Sequence, residues 1–261
     1  MKPILYLPLS LLFLLSINNK TLAQNIHSDT ATHTKLILTQ DSGYVTKEVG
    51  LAFLLANSLT DTTPNANAWH LFNQTDTIGK YYKIENSDHY IMCFIDYGSQ
   101  KEYLFETHII IEIDANGNLL KNERFFHGNY PCCWNNLYDG FSKYDNFFGI
   151  QICGTGSGFC SSCLCLFKEV IPQDSIFPIP FNYWDGMEGF FFHFYTLKMK
   201  MKKDELILHY ILEKGKMKYD KNDEIYLKTK HRNKFNIKYF YEDGQWKTKD
   251  TEKLKELDGY F

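Results

Sequence analysis

Between Tyr103 and Asp114 the side chains alternate strictly. Thr107, Ile109, Ile111 and Ile113 fall on one side; Glu106, His108, Ile110, Glu112 and Asp114 fall on the other. A period of two is the mark of an extended strand with two different faces. Asn116-Gly117 follows at once, a dipeptide that accepts the positive φ angles of a tight hairpin loop, and Leu119–Phe126 is the return strand. So short a connection commits the pair to antiparallel geometry, because a parallel partner needs a long crossover.

The pattern recurs down the chain. Tyr90–Asp96 is rich in β-branched and aromatic residues. Phe147–Cys153 and Cys163–Val170 flank Gly154-Thr155-Gly156-Ser157-Gly158, and Phe190–Met201 turns at Lys202–Glu205 to return as Leu206–Glu213. Phe235–Tyr241 and Gln245–Lys249 flank Asp243-Gly244. Two helices interrupt this. Thr46–Leu59 has Thr46 to cap it, Glu48 in its first turn, and Val49, Ala52, Phe53 and Ala56 on one face. Gly50 inside it costs about 1 kcal/mol relative to alanine. Thr251–Leu257 is a short helix closed by Gly259. The expected fold is mainly β: antiparallel hairpins in a sandwich or an irregular propeller-like stack, with one short N-terminal helix.

The propeller-like option has a specific source. Tyr90–Asp114 and Phe147–Val170 share the order apolar strand, Gly/Ser turn, apolar strand, and start 57 residues apart. The run IIIEIDANGNL, followed after a gap by FFGIQICGTGSG and CLCLFKEV, resembles blades of secreted bacterial β-propeller-type repeats. A propeller takes at least four blades, whereas at most three such repeats can be found here, so the family is not assigned.

The first residues carry an address. Lys2 precedes an apolar stretch from Ile4 to Ile17, and Thr21-Leu22-Ala23 supplies small residues at the −3 and −1 positions of a signal-peptidase site. Fourteen apolar residues are too few to span a bilayer as a helix, for which about 20 are needed. Residues 1–23 are therefore expected to be a cleaved signal peptide, 24–35 a loose lead, and 36–261 a single β-rich domain with room for a subdivision near 172–186. Export places the mature chain in the periplasm or outside the cell, with no transmembrane segment.

Charge is unevenly placed. Residues 24–195 hold 9 basic and 19 acidic side chains, whereas 196–261 hold 17 and 12, so the halves differ in sign. Of the 28 basic residues only Arg124 and Arg232 are arginine. Bidentate recognition of bases and phosphates favours arginine, so no nucleic-acid partner is expected.

Six of the seven cysteines crowd into one segment: Cys132, Cys133, Cys153, Cys160, Cys163 and Cys165. In an oxidising compartment such a cluster reads first as a disulfide framework, with the pairing left open among fifteen combinations. Cys160-Ser161-Ser162-Cys163 also admits a metal or thiol-redox reading, without the second C-x-x-C of a zinc site or a helix to activate a thiol. Cys93, within Ile91–Ile95, reads as a buried free thiol.

No catalytic constellation emerges and no cofactor or metal is called for. The glycine run lacks the Lys-Ser/Thr of a phosphate loop, and the histidines make no metal-binding helix pair. His193, between Phe192 and Phe194, reads as a satisfied structural histidine. The polar face of the alternating strand, with Glu106, His108, Glu112 and Asp114, reads as an ordinary solvated face. Trp134 and Tyr138, beside the cysteines, and Trp184, in a loop-like Tyr-Trp-Asp-Gly, are the aromatic residues suited to stack on a sugar. Asp-(Ser/Thr)-small sequences at Thr30, Thr62, Thr77 and Ser175 resemble the O-glycosylation acceptor of exported proteins in one large bacterial group. The sequence thus points to an exported, non-catalytic protein of the bacterial cell envelope that binds a glycan or an envelope protein. A metal-binding or thiol-redox protein using the cysteine cluster is the alternative.

Overall fold

The structure, a computed structural model, describes residues 26–27, 35–60, 76–96, 107–126, 140–156, 158–186 and 189–257. After a two-stranded pair, β1 (Ile26–His27) with β2 (Lys35–Leu36), the chain makes two antiparallel sheets. The first holds β3 (Ser42–Thr46), β4 (Thr77–Lys83), β5 (Tyr90–Asp96), β6 (Thr107–Ile113) and β7 (Leu119–Phe126), in that order. The second holds β8 (Phe141–Tyr144), β9 (Phe147–Gly156), β10 (Phe159–Phe167), β11 (Ile179–Asp185), β12 (Phe190–Lys202), β13 (Glu205–Tyr219), β14 (Ile225–Glu242) and β15 (Gln245–Thr248). Each strand in both sheets lies beside its neighbours in sequence. The result is a β-rich sandwich and not a ring of radial blades, which sets aside the propeller-like alternative.

Helix α1 (Lys47–Ala56) joins β3 to β4, and the Thr46 hydroxyl caps it by accepting the Val49 N–H. It lays Gly50, Phe53 and Leu54 on the face of the first sheet, where Phe53 and Phe94 stack with ring centroids 6.5 Å apart. Gly50 has a reason to be there: a Cβ at that position would stand 2.9 Å from Ile78 and 3.0 Å from Phe94. The close approach of helix and sheet offsets the propensity lost.

The other face of the first sheet packs on β8–β10. Tyr82 meets Phe141 and Phe148, and Phe125 meets Phe167. β9 and β10 are consequently buried on both sides. Phe148, Ile150 and Cys165 join the core shared with the first sheet, while Phe147, Leu164 and Leu166 join a second core. That second core lies inside the curl of the larger sheet. The Phe147 ring reaches Tyr241 and Trp246 at 4.8 Å, although their strands sit near opposite ends of the eight-strand order. Only a strongly coiled sheet brings these together. The Lys203 N–H, in the β12–β13 turn, donates to Asp145 Oδ2 in the β8–β9 turn at 2.8 Å. The curl does not close into a barrel.

The residues 172–186 contribute β11, which is laddered to both β10 and β12 inside this sheet. A short helix α2 (Thr251–Lys255) follows β15. At the β6–β7 hairpin only Gly117 takes positive φ (77°). The Asp114 carboxylate completes this turn by accepting the N–H groups of Asn116 and Asn118, in place of the two-residue loop expected there.

Candidate ligand face around Trp184

Coiling the larger sheet leaves the outer face of β11–β14 beyond the cover of the first sheet. Four residues distant in sequence meet there in one cross-strand row. Trp184 is opposite His193, His193 opposite Glu213, and Glu213 opposite Arg232. Directly opposed residues of neighbouring strands share a face, so the register alone collects them.

Trp184 is 36% exposed. A Cβ at Gly186 would stand 2.3 Å from the far edge of the indole, so the ring edge lies against bare backbone there. The tryptophan therefore stands in a strand, not in the loop expected of Tyr-Trp-Asp-Gly. Beside it the His193 ring is stacked along β12 with Phe191 (5.9 Å) and Tyr195 (5.2 Å). Its Nε2 lies 3.2 Å from Glu213 Oε2, and Arg232 Nε donates to Glu213 Oε1 at 2.9 Å. Burial holds the imidazole below its ordinary value, against the pull of Glu213 and helped by the charge of Arg232. The neutral ring donates from Nε2 to the carboxylate, which leaves Nδ1 a buried acceptor without a partner. The expectation of a satisfied structural histidine is thus corrected.

Chemically this face is an aromatic plane flanked by a carboxylate, a half-exposed guanidinium and a neutral imidazole. Glu213 is already committed to two partners, which suits a fixed hydrogen-bonding frame better than a proton shuttle. Trp134 and Tyr138, expected beside it, lie outside the described residues.

The cysteines divide. Cys93, Cys160, Cys163 and Cys165 are in no disulfide, and among the described residues no two cysteines stand at disulfide distance. Cys153 does not titrate as a free thiol, being disulfide-bonded; Cys132 and Cys133 lie outside the described residues. The framework expected of all six therefore does not include Cys160, Cys163 or Cys165. Those three occupy β10, whose neighbours β9 and β11 offer them no second thiol at bonding distance. Cys163 and Cys165 hydrogen-bond to each other, which draws the Cys163 thiol down against its burial and pushes Cys165 far up. Cys93 is buried as expected, and burial raises its thiol. Among the described residues no three His, Cys, Asp or Glu side chains gather as a metal site would require.

The polar face of β6 is not an ordinary solvated one. His108 and Glu112 are buried, since β6 is interior to the first sheet and its second face is the one that meets β8–β10; Asp114 is half-buried, and Glu106 lies outside the described residues. Glu112 Oε1 holds His89 Nδ1 at 2.8 Å, while Oε2 has no partner. Gly154 and Gly156 belong to β9 and Gly158 turns with φ 88°, a hairpin and not a phosphate cradle.

Of the glycosylation candidates, Thr77 opens β4 and is buried, whereas Ser175 is exposed in a short 3-10 turn. Thr30 and Thr62 lie outside the described residues. No helix among the described residues is long and apolar enough to cross a membrane. An open depression of about 830 Å³ sits between Asp41, Lys83, the 84–88 turn and Lys143. Its walls are mostly turn and surface side chains without an aromatic plane, so it ranks below the Trp184 face. Comparison with protein-family models, curated proteins and solved structures finds no match.

Proposed function

We propose that this is an exported, non-catalytic binding protein of the bacterial cell envelope, and that it takes a glycan on the Trp184 face. The observation that carries the reading is the indole of Trp184, seated on Gly186 beside the His193–Glu213–Arg232 row. A sugar ring presents an apolar face of C–H groups edged by hydroxyls. The first fits an open indole, and the second fits a carboxylate and guanidinium fixed on a rigid sheet. The export signal and the exposed acceptor at Ser175 support the envelope as its place.

The test is titration of the full chain with soluble envelope polysaccharide fragments, followed by tryptophan fluorescence and calorimetry. Trp184→Ala should weaken binding by about tenfold, the scale of a lost stacking contact. Unchanged affinity after Trp184→Ala combined with Trp134→Ala and Tyr138→Ala would remove the placement.

A second reading, a metal-binding or thiol-redox protein, draws on Cys160, Cys163 and Cys165, none of them in a disulfide, and on the hydrogen bond between the latter two. Metal that survives dialysis and leaves on alkylation of those thiols would favour it over the glycan reading.

A further inference from the structure

The strand β14 is exposed along Ile225–Arg232, on both of its faces. From Ile225 to Lys234 it carries Lys228, Lys230, Arg232 and Lys234 and not one acidic residue. One edge of this stretch is laddered to β13 from Tyr219 back to Ile211. The other edge has no strand against it among the described residues, because β15 pairs only with Tyr239–Glu242. The segment around α2 reaches it only at its end, where Asn233 Nδ2 donates to Glu256 Oε2 at 3.4 Å; further along, Asp250 accepts the Lys238 N–H and Lys253 donates to the Asn236 carbonyl.

The ribbon is also unsupported from the side. β12 pairs with β13 as far as Phe190 opposite Lys216, with one more bond from the Met217 N–H to the Gly189 carbonyl at 2.8 Å; beyond it no third strand among the described residues joins β13 and β14. Met217 faces Leu227 and Tyr219 faces Ile225, with Tyr219 68% and Ile225 55% exposed. A two-stranded ribbon with its apolar pairs in water is marginal by itself.

We propose that the Ile225–Lys234 edge is a docking edge for an acidic, extended peptide segment of a partner protein, which adds to the sheet as a further antiparallel or parallel strand. The free N–H and C=O groups call for a backbone, which a lipid or polysaccharide does not offer in register. The row of lysines calls for acid. The same row discourages a second copy of this edge, since like charges would face each other across the new ladder. The inference does not rest on the glycan reading, with which it shares only Arg232.

The test uses the full chain and a peptide of about ten residues alternating Glu and Val, the length of strand the edge can pair. Its controls are the Lys-Val counterpart and the Glu-Val peptide N-methylated at alternate residues. The acidic peptide should bind and slow amide exchange in Ile225–Lys234. Affinity should fall about tenfold in Lys228→Glu/Lys230→Glu, whose fold is checked by circular dichroism, and also with added salt. The Lys-Val and N-methylated peptides should not bind. Absence of binding by the acidic peptide overturns the proposal. So does equal binding of the N-methylated peptide, which would mean charge attraction without a ladder. A concentration-dependent dimer that protects the same amides without peptide overturns it in favour of a second copy.

Discussion

Gly186 lies against the far edge of the Trp184 indole, so close that a methyl group there would stand 2.3 Å from the ring. Gly186→Ala should therefore tilt or lift the indole while leaving the β11–β12 ladder in place. The expected outcome is a changed Trp184 fluorescence, read by difference against Trp184→Ala, and a several-fold weaker glycan affinity with an unchanged melting temperature. A wild-type affinity in Gly186→Ala would mean that the contact of the ring with Gly186 is irrelevant to binding.

His193 makes stability depend on pH. Its folded value lies below that of the unfolded chain, so the unfolded state binds more protons in the window beneath the ordinary imidazole value of about 6.5. The stabilisation is present above that value and is lost as pH falls through the lower, folded one. Urea midpoints measured between neutral and mildly acidic pH should drop more steeply for the wild type than for His193→Gln.

His89 protects a buried carboxylate. Removing it in His89→Ala leaves both oxygens of Glu112 without a side-chain partner at the sheet interface and should cost about 2 kcal/mol. Adding Glu112→Leu to that variant should restore most of the loss, since it removes the unpaired buried carboxylate while Lys121, opposite it on β7, keeps its ion pair with Glu169. Denaturant unfolding of the single and double variants measures both effects.

The thiols should differ in reactivity. Cys163, half-buried and drawn down by its hydrogen bond from Cys165, is expected to alkylate in the native protein before Cys165 and Cys93, both buried and both pushed up. Mass-resolved labelling over time checks the order. Prior reaction of Cys93 would contradict the packing of the first sheet.

Gly50→Ala opposes two effects. Helix propensity improves by about 1 kcal/mol, but the new methyl meets Ile78 and Phe94 at contact distances that well-packed side chains do not tolerate. The clash should win, with a lower urea midpoint.

Strands whose burial is one-sided or complete were legible from residue order. Tyr90–Asp96 matches β5 because packing on both faces selects β-branched and aromatic residues, and Leu119–Phe126 matches β7 because the Asn116-Gly117 turn announces a return strand. The first half of β14 has no such signal: Ile225–Lys234 is held by pairing to β13 and buries little. β11 was hidden for another reason, since Trp184-Asp185-Gly186 has turn chemistry yet serves a strand that seats an aromatic ring. The ligand face was legible only at Trp184. Its other members are brought to it by strand register between β11 and β14, which no local pattern records. Glu112 misled for the converse reason, because alternation reveals two faces of a strand but not whether a second sheet covers one of them.

The most direct test of the account is amide hydrogen exchange of the full chain with and without the tightest-binding soluble envelope glycan. The account predicts slowed exchange on β11, β12 and β13 around Trp184, His193 and Glu213, lost in Trp184→Ala. Protection confined to another surface, or a glycan panel in which nothing binds, would contradict it.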